Sequence, residues 1–101
     1  MHVLIVNFNL DGITDADFRA ACDGLADTFA AIPGLIAKIW LADSDTNTYG
    51  GVYTFVDQAA CDAYKAGPVF AEVAGNPNFA NATARDFGIV EGPTRVTRGL
   101  A

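Results

Sequence analysis

Histidine is nearly missing from this chain: His2 is the only one, and it stands at the start of the first apolar run. A single imidazole at a fraying end leaves no material for a catalytic triad and no imidazole general base. Cysteine is scarce too. Cys22 and Cys61 are too few and too far apart for a disulfide framework or a CxxC clip. Both read as small buried hydrophobes of a reducing compartment. No HxH, HExxH or cysteine cluster occurs, so no metal is expected. Basic charge is in deficit, with six Lys and Arg against twelve Asp and Glu. A net charge of −6 repels phosphate backbones and anionic lipid, so nucleic acid and membrane surfaces are not expected partners. No apolar run approaches the roughly twenty residues of a spanning helix. The opening MHVLIVNFNL also lacks the basic n-region of a signal peptide. P-loop and GxGxxG signatures are absent. Gly50-Gly51 opens a strand, where close backbone approach or a bulge is the expected role.

What remains describes one domain over residues 1–101, expected in the cytoplasm, with about half its residues apolar and able to build a core without staples. Residues 2–9 alternate through Val, Leu, Ile and Phe and end at Asp11-Gly12, so a strand is expected. Thr14 suits a helix N-cap, with Asp15 and Asp17 in the first turn where the dipole favours them. Phe18, Cys22, Leu25, Phe29 and Ile32 then recur at helical spacing as a core stripe, until Pro33-Gly34 stops the helix.

Residues 35–42 form a second strand and 49–56 a third, joined as a hairpin by the turn-forming run Asp43 to Asn47. Asp57 caps a short helix over 58–66. Pro68 opens another helical turn through Val73, ending near Gly75-Asn76-Pro77. Residues 82–91 read as a fourth strand and 92–101 as a polar tail. The order β-α-β-β-α-β is the split unit of ferredoxin-like α+β folds: a four-stranded antiparallel sheet with its helices on one face.

The pleat divides each strand into two faces. Leu4, Val6 and Phe8, with Ala37, Ile39 and Leu41 and with Val52, Thr54 and Val56, are assigned to the helix side. The uncovered face then carries Ile5, Asn7, Asn9, Lys38, Trp40, Tyr53 and Phe55. An exposed face rich in aromatic side chains marks a ligand site or an interface, and two such sheets packed together would bury it as a homodimer. Asn7 and Asn9 need hydrogen-bond partners if buried, across a dimer, to water or to a ligand. Trp40 and Tyr53 are aromatic handles that serve equally as core, and Lys38 can snorkel to a rim. Tyr64 is expected in the core. The face of Arg85 stays open.

The stretch Pro33-Gly34-Leu35-Ile36-Ala37-Lys38-Ile39-Trp40, followed by Gly50-Gly51-Val52-Tyr53-Thr54-Phe55-Val56-Asp57 and Ala63-Tyr64, resembles the YdhR-type monooxygenases. That family sits in the dimeric α/β-barrel superfamily beside antibiotic-biosynthesis monooxygenases. The likeness implies two sheets sharing a barrel. It also implies cofactor-independent oxidation of a small aromatic or quinol-like molecule, with no metal and no flavin. Carried onto this chain, Asn7, Trp40 and Tyr53 become the catalytic candidates, with Ile5, Asn9, Lys38 and Phe55 binding substrate. Haem-degrading members need a further His in the pocket, which this chain does not offer. Two other readings stand beside the oxygenase. One is a protein that binds a small hydrophobic molecule without turnover. The other is a non-redox isomerase or cyclase with Lys38 as its base.

Overall fold

Thr14 begins the first helix as a capping box: its hydroxyl accepts from the Asp17 amide, and the Asp17 carboxylate accepts from the Thr14 amide. The helix it opens, α1 (Asp15–Ala30), follows β1 (His2–Leu10) in the computed structural model, which describes residues 1–100. The chain continues through β2 (Leu35–Asp43), β3 (Thr48–Phe55), α2 (Gln58–Lys65), α3 (Pro68–Gly75), β4 (Phe79–Gly88) and α4 (Glu91–Val96). The four strands form one antiparallel sheet in the order β2-β3-β1-β4, with β1 central and β2 at an edge. This is the ferredoxin-like α+β arrangement expected from the order of elements, with the second helical segment divided at Gly67-Pro68.

The turn chemistry acts as the residue types imply. The Asp43 carboxylate accepts from the Asp45 amide, and Asp57 caps α2 through the Ala60 amide. Gly50 has φ +147°, and a Cβ there would lie 1.8 Å from the Val6 carbonyl oxygen, so β3 approaches β1 as only glycine allows. Tyr49 fastens the start of α1 to the sheet by donating to Asp15 at 2.6 Å, while Arg19 Nε holds the other carboxylate oxygen at 2.7 Å.

The fourth strand begins three residues earlier than the sequence pattern indicated. Phe79 pairs opposite Leu10 and stacks on Phe8 with ring centroids 4.2 Å apart, so burial of that ring draws residues 79–81 into the sheet. The strand ends at Gly88 because its partner β1 ends at His2, leaving Ile89 and Val90 nothing to pair with. The expected polar tail contains a short helix, α4, whose Thr94 hydroxyl donates to the Val90 carbonyl. His2 is not frayed. It is 7% exposed, with its ring against Asp86.

The two faces of the sheet are the reverse of those expected. Leu4 stands opposite Tyr53, and Tyr53 opposite Lys38; Val6 stands opposite Gly51, and Gly51 opposite Trp40. Directly paired residues share a face, so Lys38, Trp40, Tyr53 and Phe55 lie under the helices with Leu4, Val6 and Phe8. Ile39, Val52 and Thr54 lie on the uncovered face with Ile5 and Asn7. Arg85 pairs with Ile5 and joins them, whereas Asp86 pairs with Leu4 on the helix side. The rings of Tyr53 and Phe55 fill the space beneath α2 and α1, packing against Tyr64 and Phe29, which smaller aliphatic side chains would leave void. Each fully buried large side chain there contributes about 1.5–3 kcal/mol. Leu25, expected in the core, is 45% exposed.

Candidate functional site

Along α1, Cys22, Ala26 and Ala30 recur every four residues and so share one helix face. They face β2, and their small side chains leave space between the helix and the edge strand unfilled. A groove of about 330 Å³ runs past Arg19, Cys22, Asp23 and Leu41, and another of about 230 Å³ past Ala30, Ile36 and Lys38. Trp40 and Ala26 border both. Deeper in, a small, partly open cavity of about 40 Å³ lies between α1, α3 and the sheet. Its walls are the rings of Phe8, Phe18, Phe29, Trp40, Tyr53 and Phe79, with Lys38 and Cys22 supplying heteroatoms.

Lys38 is the unusual member. Its Nζ sits 3.4 Å from the ring centroid of Phe29, 3.4 Å from that of Trp40 and 4.6 Å from that of Tyr53. The position depends on Gly51, where a Cβ would come 2.8 Å from Lys38 Cε. No carboxylate pairs with this amine among the described residues. Burial among the rings pulls its pKa from 10.5 down to about 7. The ring faces act the other way, favouring the ammonium by about 0.5–2 kcal/mol. The Tyr64 hydroxyl donates to the Tyr53 oxygen at 3.1 Å. Burial pushes the Tyr53 phenol well above its usual range, so it stays protonated. Burial likewise raises the Cys22 thiol.

The structure thus divides the seven candidate residues. Lys38, Trp40 and Tyr53 meet at the cavity. Phe55 is on the same side but fully buried, stacked on Tyr53 and away from the lining. Ile5, Asn7 and Asn9 lie across the sheet on the uncovered face, where Asn9 donates to the Asn47 carbonyl and accepts from Asn81. Phe18, Cys22, Leu25 and Phe29, of the expected core stripe, are also cavity wall. The small-residue spacing at 22, 26 and 30 was the readable signal.

A second group of heteroatoms stands under α2. His2 Nε2 donates to Asp86 Oδ1 at 2.6 Å, Lys65 Nζ donates to Asp86 Oδ2 at 2.6 Å, and the Cys61 thiol lies nearby. The two donors hold the Asp86 carboxyl below its usual range, and Asp86 in turn raises the Lys65 ammonium. This group is separate from the cavity, so the one histidine cannot serve a ligand there.

The family described as putative mono-oxygenase ydhR matches the chain over residues 3–100. No curated protein matches it in sequence. A protein of unknown function from Nitrosomonas europaea superposes with a TM-score of 0.74 at 17% identity, over 90% of each chain. SnoaB, a cofactor-independent oxygenase from Streptomyces nogalater, gives a TM-score of 0.66 at 24% identity, over 89% of this chain and 94% of that one. The heme-degrader MhuD from Mycobacterium tuberculosis, with two hemes bound in its active site, gives 0.70 at 21% identity, over 89% and 96%. At such identities these likenesses show the fold.

The cavity does not fit haem. No imidazole lines it, and burial keeps the Cys22 thiol and the Tyr53 phenol protonated and poor as iron ligands. No helix of the described chain is long and apolar enough to cross a membrane.

Proposed function

Because the chain belongs to the family described as putative mono-oxygenase ydhR, we propose that it is a cofactor-independent oxygenase of small aromatic, phenolic or quinol-like molecules, taken up between α1 and the sheet. The observation that carries this reading is Lys38, an amine with a pKa of about 7 set among three rings in an otherwise apolar site. The neutral amine accepts a proton from an activated C–H or phenolic O–H. The ammonium so formed then lies beside the new carbanion or phenolate and stabilises it in a poorly hydrated space. For an activated methylene, the anion passes one electron to dioxygen, and the substrate radical and superoxide combine to form a C–O bond. Loss of water from the hydroperoxide leaves a ketone: one methylene substrate and one dioxygen give one ketone and one water. Trp40 and Tyr53 hold the substrate ring, and the protein contributes base, orientation and dryness. Asn7, across the sheet, has no part in this chemistry.

The same base would equally serve a non-redox isomerase or cyclase, and oxygen uptake separates the two. With an anthrone-like phenol as probe, the oxygenase consumes dioxygen and forms product in equal amounts. Its rate climbs as pH rises through about 7 and then levels, because the neutral amine is the active form. Lys38→Met should lower the rate about 100-fold while the probe still quenches Trp40, the sole tryptophan. Binding without oxygen uptake would sink the proposal. The reading includes a homodimer, supported by the uncovered sheet face with exposed Ile39 and Phe87 beside Ile5 and Val52. Sedimentation of Ile39→Lys should show monomer where the native chain shows dimer; a monomeric native chain removes the dimer from the reading.

A further inference from the structure

The chain has two lysines, and the fold gives them opposite surroundings. Lys65 Nζ is locked to Asp86 at 2.6 Å, and that contact raises it further into the ammonium form. Lys38 Nζ makes no hydrogen bond and no ion pair among the described residues, and it is not sealed from the cavity, since no buried polar side-chain atom is left without a partner. It lies on the wall of both the 40 Å³ cavity and the 230 Å³ groove, so a molecule entering the groove beside Trp40 meets the amine directly.

We propose that Lys38 is a covalent capture site, condensing reversibly with small planar aldehydes, aryl or α,β-unsaturated, to form a Schiff base held between the rings of Phe29 and Trp40. The amine lone pair attacks the carbonyl carbon, forming the C–N bond, and a proton moves from nitrogen to the former carbonyl oxygen. That oxygen leaves as water with the second amine proton, so one amine and one aldehyde give one imine and one water. Nothing is oxidised or reduced. The reaction needs a neutral amine, and burial makes a large neutral fraction available at neutral pH. The groups facing it leave that state intact. Cys22 from α1 is a protonated thiol and Tyr53 from β3 a protonated phenol, while Arg19 and Asp23, one of each sign, line the adjoining groove. The preference for flat, uncharged carbonyls follows from the walls of the 230 Å³ groove: it sets Phe29 and Trp40 beside Ala26, Ala30 and Ala37, and it has no second cation to hold a carboxylate.

This capture shares the cavity with the oxygenase reading but does not need oxygen, so each can fail alone. The test treats the full chain with benzaldehyde and cyanoborohydride at pH 7, which reduces an imine to a stable secondary amine, and maps the adduct by peptide mass. Lys38 should label at least 10-fold faster than Lys65 and the N-terminal amine. Gly51→Ala, which crowds Lys38 Cε while keeping the amine, should slow the labelling. Equal labelling of the two lysines, or none on Lys38, overturns the proposal. Labelling without oxygen uptake supports it and removes only the oxygenase reading. The ratio of labelling between the two lysines is measured on the native protein, so the outcome does not depend on any variant folding.

Discussion

Replacing Lys38 with methionine should stabilise the protein at neutral pH, although it removes a residue of the proposed chemistry. Methionine keeps the length and apolar body of the lysine stem but carries no charge into the ring cluster. In the native chain the amine ionises near 10.5 when unfolded and at about 7 when folded. Between those values the unfolded chain holds a proton that the folded chain has released, so stability rises with pH across the window. Below pH 7 both states are protonated, and the penalty for carrying the ammonium into the fold is at its full value. Each tenfold in proton affinity is about 1.4 kcal/mol, which sets an upper bound of about 5 kcal/mol. Residual solvent at the half-buried amine and the cation–ring attraction reduce the measurable effect to about 2–3 kcal/mol. Urea unfolding from pH 6 to 10, followed by Trp40 fluorescence and circular dichroism, measures it. The gain of Lys38→Met should be largest at pH 6 and shrink steadily towards pH 10. Groups common to both proteins cancel in the difference. A difference that stays flat with pH would mean that Lys38 swings out through the groove when charged, and the argument from burial would fail.

Gly50→Ala sets a Cβ 1.8 Å from the Val6 carbonyl oxygen at φ +147°, and should cost about 3 kcal/mol or more in urea unfolding; a near-neutral result would refute the β1–β3 approach. Leu25→Asp should lower the melting temperature less than a substitution in the closed core would, because Leu25 borders the cavity yet is 45% exposed and its carboxylate can reach water; complete unfolding of this variant would place Leu25 fully in the core. Asp86→Asn should lose stability at pH 7 through its contacts with His2 and Lys65. The Asp86 carboxyl is held below its usual value by His2 first and Lys65 second, so the native advantage is complete above about pH 4 and disappears as pH falls further. An advantage that persists undiminished at pH 2 would assign the loss to packing instead.

The order of elements was legible because turn and cap residues carry local chemistry: Thr14, the Asp43–Asn47 run and Asp57 each make the bond their type implies. The phase of the faces was not. Alternation separates Tyr53 and Phe55 from Val52 and Thr54, but both sets are suited to burial, and nothing local says which side the helices will cover. A register decides it, and the β1–β3 register joins distant segments with no turn to fix it. With Leu4 opposite Tyr53, the aromatic set lies under the helices. The edge strand adds a second difficulty, since β2 shifts register between Leu35 and Ala37. Three of the seven candidate residues, Lys38, Trp40 and Tyr53, do line one cavity, because the three share a phase of the pleat. Asn7 and Asn9 belong to the opposite phase and stayed outside.

That change of face alters the chemistry as well as the address. On an uncovered face, Lys38 would be an ordinary solvated ammonium near 10.5 and Trp40 a contact residue. Beneath α1, the same side chain loses water without gaining an acid, and only ring faces replace the hydration. Lys65 shows the contrast within one molecule: identical in structure, it finds Asp86 and is held as a cation. What makes Lys38 chemically available is therefore the absence of acids from the α1 positions above it, where Cys22, Ala26 and Ala30 stand while Asp23 and Asp27 fall off that stripe. The small side chains that open the groove are the same ones that leave the amine without a counter-ion. Access and reactivity at this site share a single structural cause.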